Sequence, residues 1–166
     1  MIMEKRIRVK APATVSNLSC GFDVIGLALD EPFDIVELEL TDGCAVVIED
    51  IKGCDSLSRD PEKNVVGVVL TEALARAGCR NGIRVTVEKG IRPGSGIGSS
   101  GASAAAAAFG ANLLLGEIFT RSEIVSLAMV GERLASGSAH ADNVAPALFG
   151  GITLVRSYDP LDIVEL

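Results

Sequence analysis

The 166-residue chain has no cluster of Lys and Arg long enough to form a stripe along a row of phosphates, and its formal net charge is −7. Nucleic acid is therefore not an expected partner. It also has no run approaching the roughly 18 apolar residues of a membrane span. The opening MIMEKRIRVK lacks the apolar stretch of a signal peptide, so neither membrane association nor export is expected. The four cysteines, Cys20, Cys44, Cys54 and Cys79, are 24, 10 and 25 positions apart and give no CxxC pair and no zinc-site spacing. Free thiols in a reducing cytoplasm fit that pattern. With 48% apolar and 22% charged residues and no low-complexity tail, the disordered and fibrous classes are excluded, and the length suits one compact domain. An acidic chain can still bind nucleotides when backbone N–H groups and a metal ion carry the phosphate charge.

What is present begins with alternation. KRIRVKAP (Lys5–Pro12) and FDIVELEL (Phe33–Leu40) read as half-buried strands, the second with Phe33, Ile35 and Leu40 inward. CAVVIEDI (Cys44–Ile51) follows the turn Thr41-Asp42-Gly43 and is expected to pair back as a hairpin. Asn64–Ala77 carries Val66, Val69, Leu70, Ala73 and Ala77 on one helical stripe, with Gly78 as a C-terminal cap. Asn81-Gly82 turns the chain into another strand, Ile83–Gly90. Thr120–Glu123 has capping-box spacing ahead of a helix with Ile124, Leu127, Ala128, Gly131, Leu134 and Ala135 inward. Gly150–Ser157 reads as a further strand, and the apolar ending LDIVEL reads as a chain cut short.

Between the last strand and helix of that middle section lies RPGSGIGSSGASAAAAAFGAN (Arg92–Asn112), four glycines and four serines running into a block of alanines. Strand, glycine-rich loop and helix N-terminus together form an anion cradle: amides point outward, and the helix adds roughly half a positive charge. A capping loop of small residues remains the plain alternative, although four glycines exceed what capping requires. No Lys follows the glycines, so the Walker A pattern is absent. Gly96–Gly101 matches GxGxxG, but Glu117, at the acidic spacing of a dinucleotide fingerprint, stands between two helices where a strand is needed.

Three motifs in order, APATVSNLSCGFDVIGLALDEP, the glycine loop and SGSAHADNVAPALFGG, closely resemble those of the GHMP kinase superfamily and, within it, the homoserine kinase family. The resemblance covers essentially the whole chain, as the family's N-terminal domain. One departure is local: Arg92 follows Lys89-Gly90-Ile91 where these kinases usually carry proline, and Pro93 comes one place later.

The resemblance implies that Gly94, Ser95, Gly96, Ile97, Gly98, Ser99, Ser100, Gly101, Ala102 and Ser103 wrap the β- and γ-phosphates of ATP. Asn64 and Val65 would border the adenine, a role compatible with Asn64 also capping the helix. Ser100 and Glu132 would ligate Mg²⁺, which needs only one or two protein oxygens beside phosphates and waters. By pattern alone Glu132 also fits a solvated helix face. Asn17, Asp23, His140 and Asn143 would hold the amino-acid substrate. For Asn17 and Asp23 an ordinary Asn/Ser/Gly turn reads equally well, and a lone His is often a packed or surface residue. Asp142 occupies the segment from which related kinases draw a base; here Asn143 is expected to orient the hydroxyl with no early proton removal.

The expected fold is an α/β two-layer domain of the ribosomal protein S5 domain 2 type, with helices on one face of a mixed, largely antiparallel sheet. The implied activity is phosphorylation of L-homoserine by Mg-ATP, in the route to threonine. The 166 residues alone are expected to be inactive, and a homodimer is left open. Mevalonate, shikimate or a sugar as acceptor, or a non-catalytic nucleotide-binding domain, are the competing readings.

Overall fold

The computed structural model describes residues 6–166. Six strands form one sheet: β1 (Arg6–Leu18), β2 (Gly21–Thr41), β3 (Val46–Lys52), β4 (Gly82–Glu88), β5 (Ile152–Tyr158) and β6 (Leu161–Glu165). The long β2 is its spine. It carries β1 antiparallel along its length, β4 antiparallel over Ile35–Thr41 and β5 antiparallel over Ile25–Leu27. β6 extends the sheet beyond β5, and β3 lies outside β4, parallel to it. Lys5, the first residue of the expected opening strand, lies outside the described residues.

Among the described residues there are four α-helices, α1 (Val65–Arg76), α2 (Ser99–Leu114), α3 (Arg121–Ser136) and the short α4 (Val144–Phe149), and a 3-10 turn at Pro61–Lys63. α2 packs on β1 and β2, α1 on β3, and α3 on α1 and α2. The caps follow the sequence. Asn64 Oδ1 accepts the Val66 N–H at the start of α1, and Thr120 and Glu123 close a full capping box on α3. Ala104–Ala108 are all buried, because α2 is enclosed by the sheet on one side and by α1 and α3 on the other. Only small side chains allow that approach: a Cβ on Gly110 would stand 2.3 Å from Leu38 Cδ1.

Three expectations are corrected. β3 is not the hairpin partner of β2, because β4 inserts between them and pairs with β3 in parallel. The inward face of β2 has the opposite phase: Asp34, Val36 and Leu38 are buried, while Phe33 and Ile35 are half-exposed. The core stripe of α3 ends early, with Leu134 and Ala135 exposed and Glu132 buried in their place. The turn of α3 beyond Gly131 has passed the edge of α2 and borders a cleft instead of the core.

Candidate functional site

The cleft has a volume of about 610 Å³ and is bordered by the glycine loop, the first turns of α1 and α2, and the last turns of α3. That volume lies within the range of small-molecule sites. Gly94, Gly96, Gly98, Ser99, Ser100 and Ser103 line it, together with Asn64, Val65, Glu132 and Asn143. Ser95, Ile97, Gly101 and Ala102 belong to the same loop and first helical turn but are not among its lining residues.

The loop is shaped by close approach. Gly98 precedes α2 with φ +65°, and a Cβ there would lie 2.0 Å from Thr14 Oγ1 and 2.9 Å from Asn143 Oδ1. Thr14 also donates its backbone N–H to Ile97 O at 3.2 Å. The loop is thus seated on β1, leaving the N-terminus of α2 facing the cleft with no side chain capping it. Unmatched N–H groups at a helix start favour an anion.

Not every serine of the loop is free for a ligand. Ser99 donates its hydroxyl to Ile91 O at 2.9 Å, and Ser103 donates its hydroxyl to Asp34 Oδ2 at 2.7 Å. Asn64 likewise spends its amide on the α1 cap and on Ser58 O. Ser100 is different: its hydroxyl stands beside Glu132. Glu132 is only 6% exposed, and its Oε1 is buried with no hydrogen-bond partner. Burial pushes its carboxyl pKa up; the Ser100 hydroxyl opposes that shift. Glu132 is therefore not the solvated residue its helical spacing allowed. An unmatched carboxylate oxygen beside a hydroxyl, at the positive end of a helix, is a donor set that fits Mg²⁺. Among the described residues no cluster of three or more His, Cys, Asp or Glu could hold a metal without added ligands.

Beyond Asn143 the cleft meets a second group. Asn143 accepts the Thr14 hydroxyl at 2.8 Å and donates to Ser16 Oγ at 3.0 Å, which fixes its amide plane. Asp142, only 2% exposed, has its pKa raised by burial, with the Ser16 hydroxyl and His140 opposing. At the β1–β2 tip, Asn17 and Asp23 both adopt φ +58°, a conformation that Asn and Asp tolerate better than most residues. Asn17 Oδ1 accepts the Asp23 N–H at 2.8 Å, so the turn reading and a binding role use the same two residues. His140 Nδ1 lies 3.5 Å from Asp23 Oδ1, too poorly placed for a hydrogen bond, and is buried without another partner.

Sequence reasoning missed three residues here. Tyr158 on β5 donates its hydroxyl to Asp23 O at 2.8 Å and accepts the Ala141 N–H at 3.2 Å, tying the two halves of this group together. Its ring meets His140 edge-on at 6.4 Å. Asp34 and Lys89 form a buried ion pair that binds both ends of the glycine loop, and Lys89 also lines the cleft. Asp34 was hidden as one acid in the alternating FDIVELEL, and nothing local marks Tyr158.

The GHMP kinases N terminal domain family matches residues 64–151, which include the loop, α3 and the Asp142-Asn143 segment. The chain is 40% identical over 162 residues to a homoserine kinase of Methanococcus maripaludis, covering 98% of this chain and 54% of that protein. It is 48% identical over 149 residues to a homoserine kinase of Haloquadratum walsbyi, covering 90% and 49%. The crystal structure of homoserine kinase from Cytophaga hutchinsonii superposes with a TM-score of 0.93 at 50% identity, over 100% of this chain and 53% of that one. A mevalonate kinase of Methanococcus jannaschii shares the fold at a TM-score of 0.75 and 13% identity. The chain spans about half the length of the curated relatives it matches.

Proposed function

This chain belongs to the GHMP kinases, matching their N-terminal domain, and on that premise we propose that it forms the nucleotide wall of a kinase that phosphorylates the side-chain hydroxyl of L-homoserine with Mg-ATP. The observation that carries this reading is the Ser100 hydroxyl beside a buried Glu132 carboxylate with one unmatched oxygen, at the uncapped N-terminus of α2.

The residues divide the work by position. Loop amides and the start of α2 receive the β- and γ-phosphates, and Asn64 and Val65 border the base. Ser100 and Glu132 would hold Mg²⁺, whose charge would offset that of the phosphates. Asp23, with Asn17 and His140 around it, holds the substrate ammonium group by charge. Asn143, its amide plane fixed by Thr14 and Ser16, retains one N–H and one lone pair with which to orient the acceptor hydroxyl. Phosphoryl transfer through a loose transition state rests on positioning and charge stabilisation, so no early base is required.

The relatives are nearly twice as long, so turnover is assigned to a protein of their length and Mg-ATP binding to the 166 residues. The test is ADP release, with the chain joined to the remaining length its relatives carry, against L-homoserine, mevalonate, shikimate and galactose. Homoserine is expected to give the highest kcat/KM. Preference for another acceptor overturns the substrate, and nucleotide binding without turnover on any acceptor overturns the kinase reading.

A further inference from the structure

Beneath the glycine loop lies a charged network that the proposed chemistry does not use. Asp34 has no exposed surface, although it sits in the middle of β2 on the core face. Its carboxylate receives four donors: the N–H groups of Gly90 and Ile91 on Oδ1, each at 3.0 Å, and Lys89 Nζ and Ser103 Oγ on Oδ2. Lys89, with a side chain 3% exposed, also donates to Ser99 O at 3.0 Å and Ser103 Oγ at 2.9 Å. All three of its protons are therefore engaged. Burial lowers the Lys89 pKa and Asp34 opposes that shift, so the Lys89 charge depends on Asp34.

The topology of these bonds is informative. Lys89, Gly90 and Ile91 lead into the glycine loop, and Ser99 and Ser103 lead out of it on α2. Asp34 binds both ends, and the bond from the Ser99 hydroxyl to Ile91 O closes a second tie between them. The residues between, Arg92–Gly98, include three glycines with positive φ, a stretch whose ordering is entropically costly. With both ends clamped to the spine of the sheet, that cost is met on folding and not when a ligand binds.

We propose that Asp34 and Lys89 are positioning residues of the phosphate loop, holding its two ends in register so that its amides are preorganised for an anion. The inference rests on the loop being a phosphate site, and it goes beyond that reading by assigning the loop's geometry to a buried pair with no donor left for the ligand. The role is separable from stability. Replacing the pair also strands the Gly90 and Ile91 N–H groups, so its effect on binding is read against a core variant that melts comparably low.

The test compares the chain with Asp34→Leu/Lys89→Met, Asp34→Asn and, as a core control outside the network, Leu38→Ala. Each is measured by thermal melting, calorimetric titration with Mg-ATP and amide exchange at Gly94–Gly98. The double variant leaves the Gly90 and Ile91 N–H groups without their acceptor, so it is expected to melt several degrees below the parent, as Leu38→Ala does, to bind Mg-ATP about tenfold more weakly and to exchange its loop amides faster. Leu38→Ala is expected to melt lower yet to keep its affinity within about twofold. Parent-like affinity in the double variant overturns the proposal, as does an equal loss of affinity in Leu38→Ala. Should the double variant fail to fold, Asp34→Asn decides: affinity lost beyond that of Leu38→Ala at matched melting temperature supports the role, and equal loss overturns it. A parent that binds no Mg-ATP overturns the phosphate site itself, an outcome distinct from a parent that binds and variants that bind equally well.

Discussion

Burial, with Asp142 adding to it, raises the pKa of the Glu132 carboxyl on α3, and the Ser100 hydroxyl on α2 is the main neighbour opposing that rise, while Glu132 Oε1 has no partner. A folded-state pKa above the unfolded value means that the native state binds the proton more tightly. The contribution of Glu132 to stability is therefore fully present below its unfolded pKa, and it is lost as pH rises through its higher folded value. Glu132→Gln removes that loss. We expect it to raise the melting temperature at pH 8 by about 1–4 °C, the effect of relieving ~0.5–1 kcal/mol, while weakening Mg-ATP. In the parent, magnesium-dependent binding is expected to strengthen with pH above the ordinary carboxylate range and to release a proton, seen as buffer-dependent calorimetric heat. Affinity independent of pH, or a variant that melts lower at pH 8, contradicts the account.

Gly98 and Gly96 both have positive φ, but only Gly98 has Thr14 Oγ1 and Asn143 Oδ1 in the space of a Cβ. Gly96→Ala should cost about 1 kcal/mol from backbone conformation alone. Gly98→Ala should cost about 2–4 kcal/mol, since β1 or the Asn143 segment must also move. Denaturant melts of the two variants check this; equal losses would show that the loop is not seated on β1.

Much of this was legible in the sequence because it is local. The Asn64 cap, the Thr120/Glu123 box and the run of glycine into alanine each encode their structure within a few residues. What pairs at long range was not. The Thr41-Asp42-Gly43 turn says nothing about β4 inserting between β2 and β3. An acid at position 34 reads as surface because the lysine that neutralises it comes 55 residues later. Tyr158 lies 135 residues from the carbonyl it binds. Glu132 has the spacing of a helix flank, and only the tertiary packing of α3 past α2 shows that it is buried beside Ser100.

Tyr158→Phe removes the hydroxyl bridge between Asp23 O and the Ala141 N–H while leaving the ring against His140. The expected result is a KM for homoserine raised about 3- to 10-fold, as for one or two lost hydrogen bonds, with Mg-ATP affinity unchanged. Steady-state kinetics with each substrate varied, on the chain joined to the remaining length its relatives carry, would show it. A change confined to ATP places Tyr158 outside the acceptor wall.

Asp142→Asn keeps the shape of a buried side chain and removes its charge. In a protein of the relatives' length, turnover is expected to stay within about tenfold of the parent, below the 10²–10⁴ of a general base. Loss of turnover with both affinities intact would make Asp142 the base.

The central claim is that Ser100 and Glu132 make the glycine loop a magnesium-nucleotide site, and calorimetric titration of ATP into the 166-residue chain tests it most directly, with Mg²⁺ or EDTA present. One site is expected, at least about tenfold tighter with Mg²⁺, and Ser100→Ala and Glu132→Gln should each erase that difference while leaving metal-free binding as it was. No binding, or a magnesium effect that survives both substitutions, would contradict it.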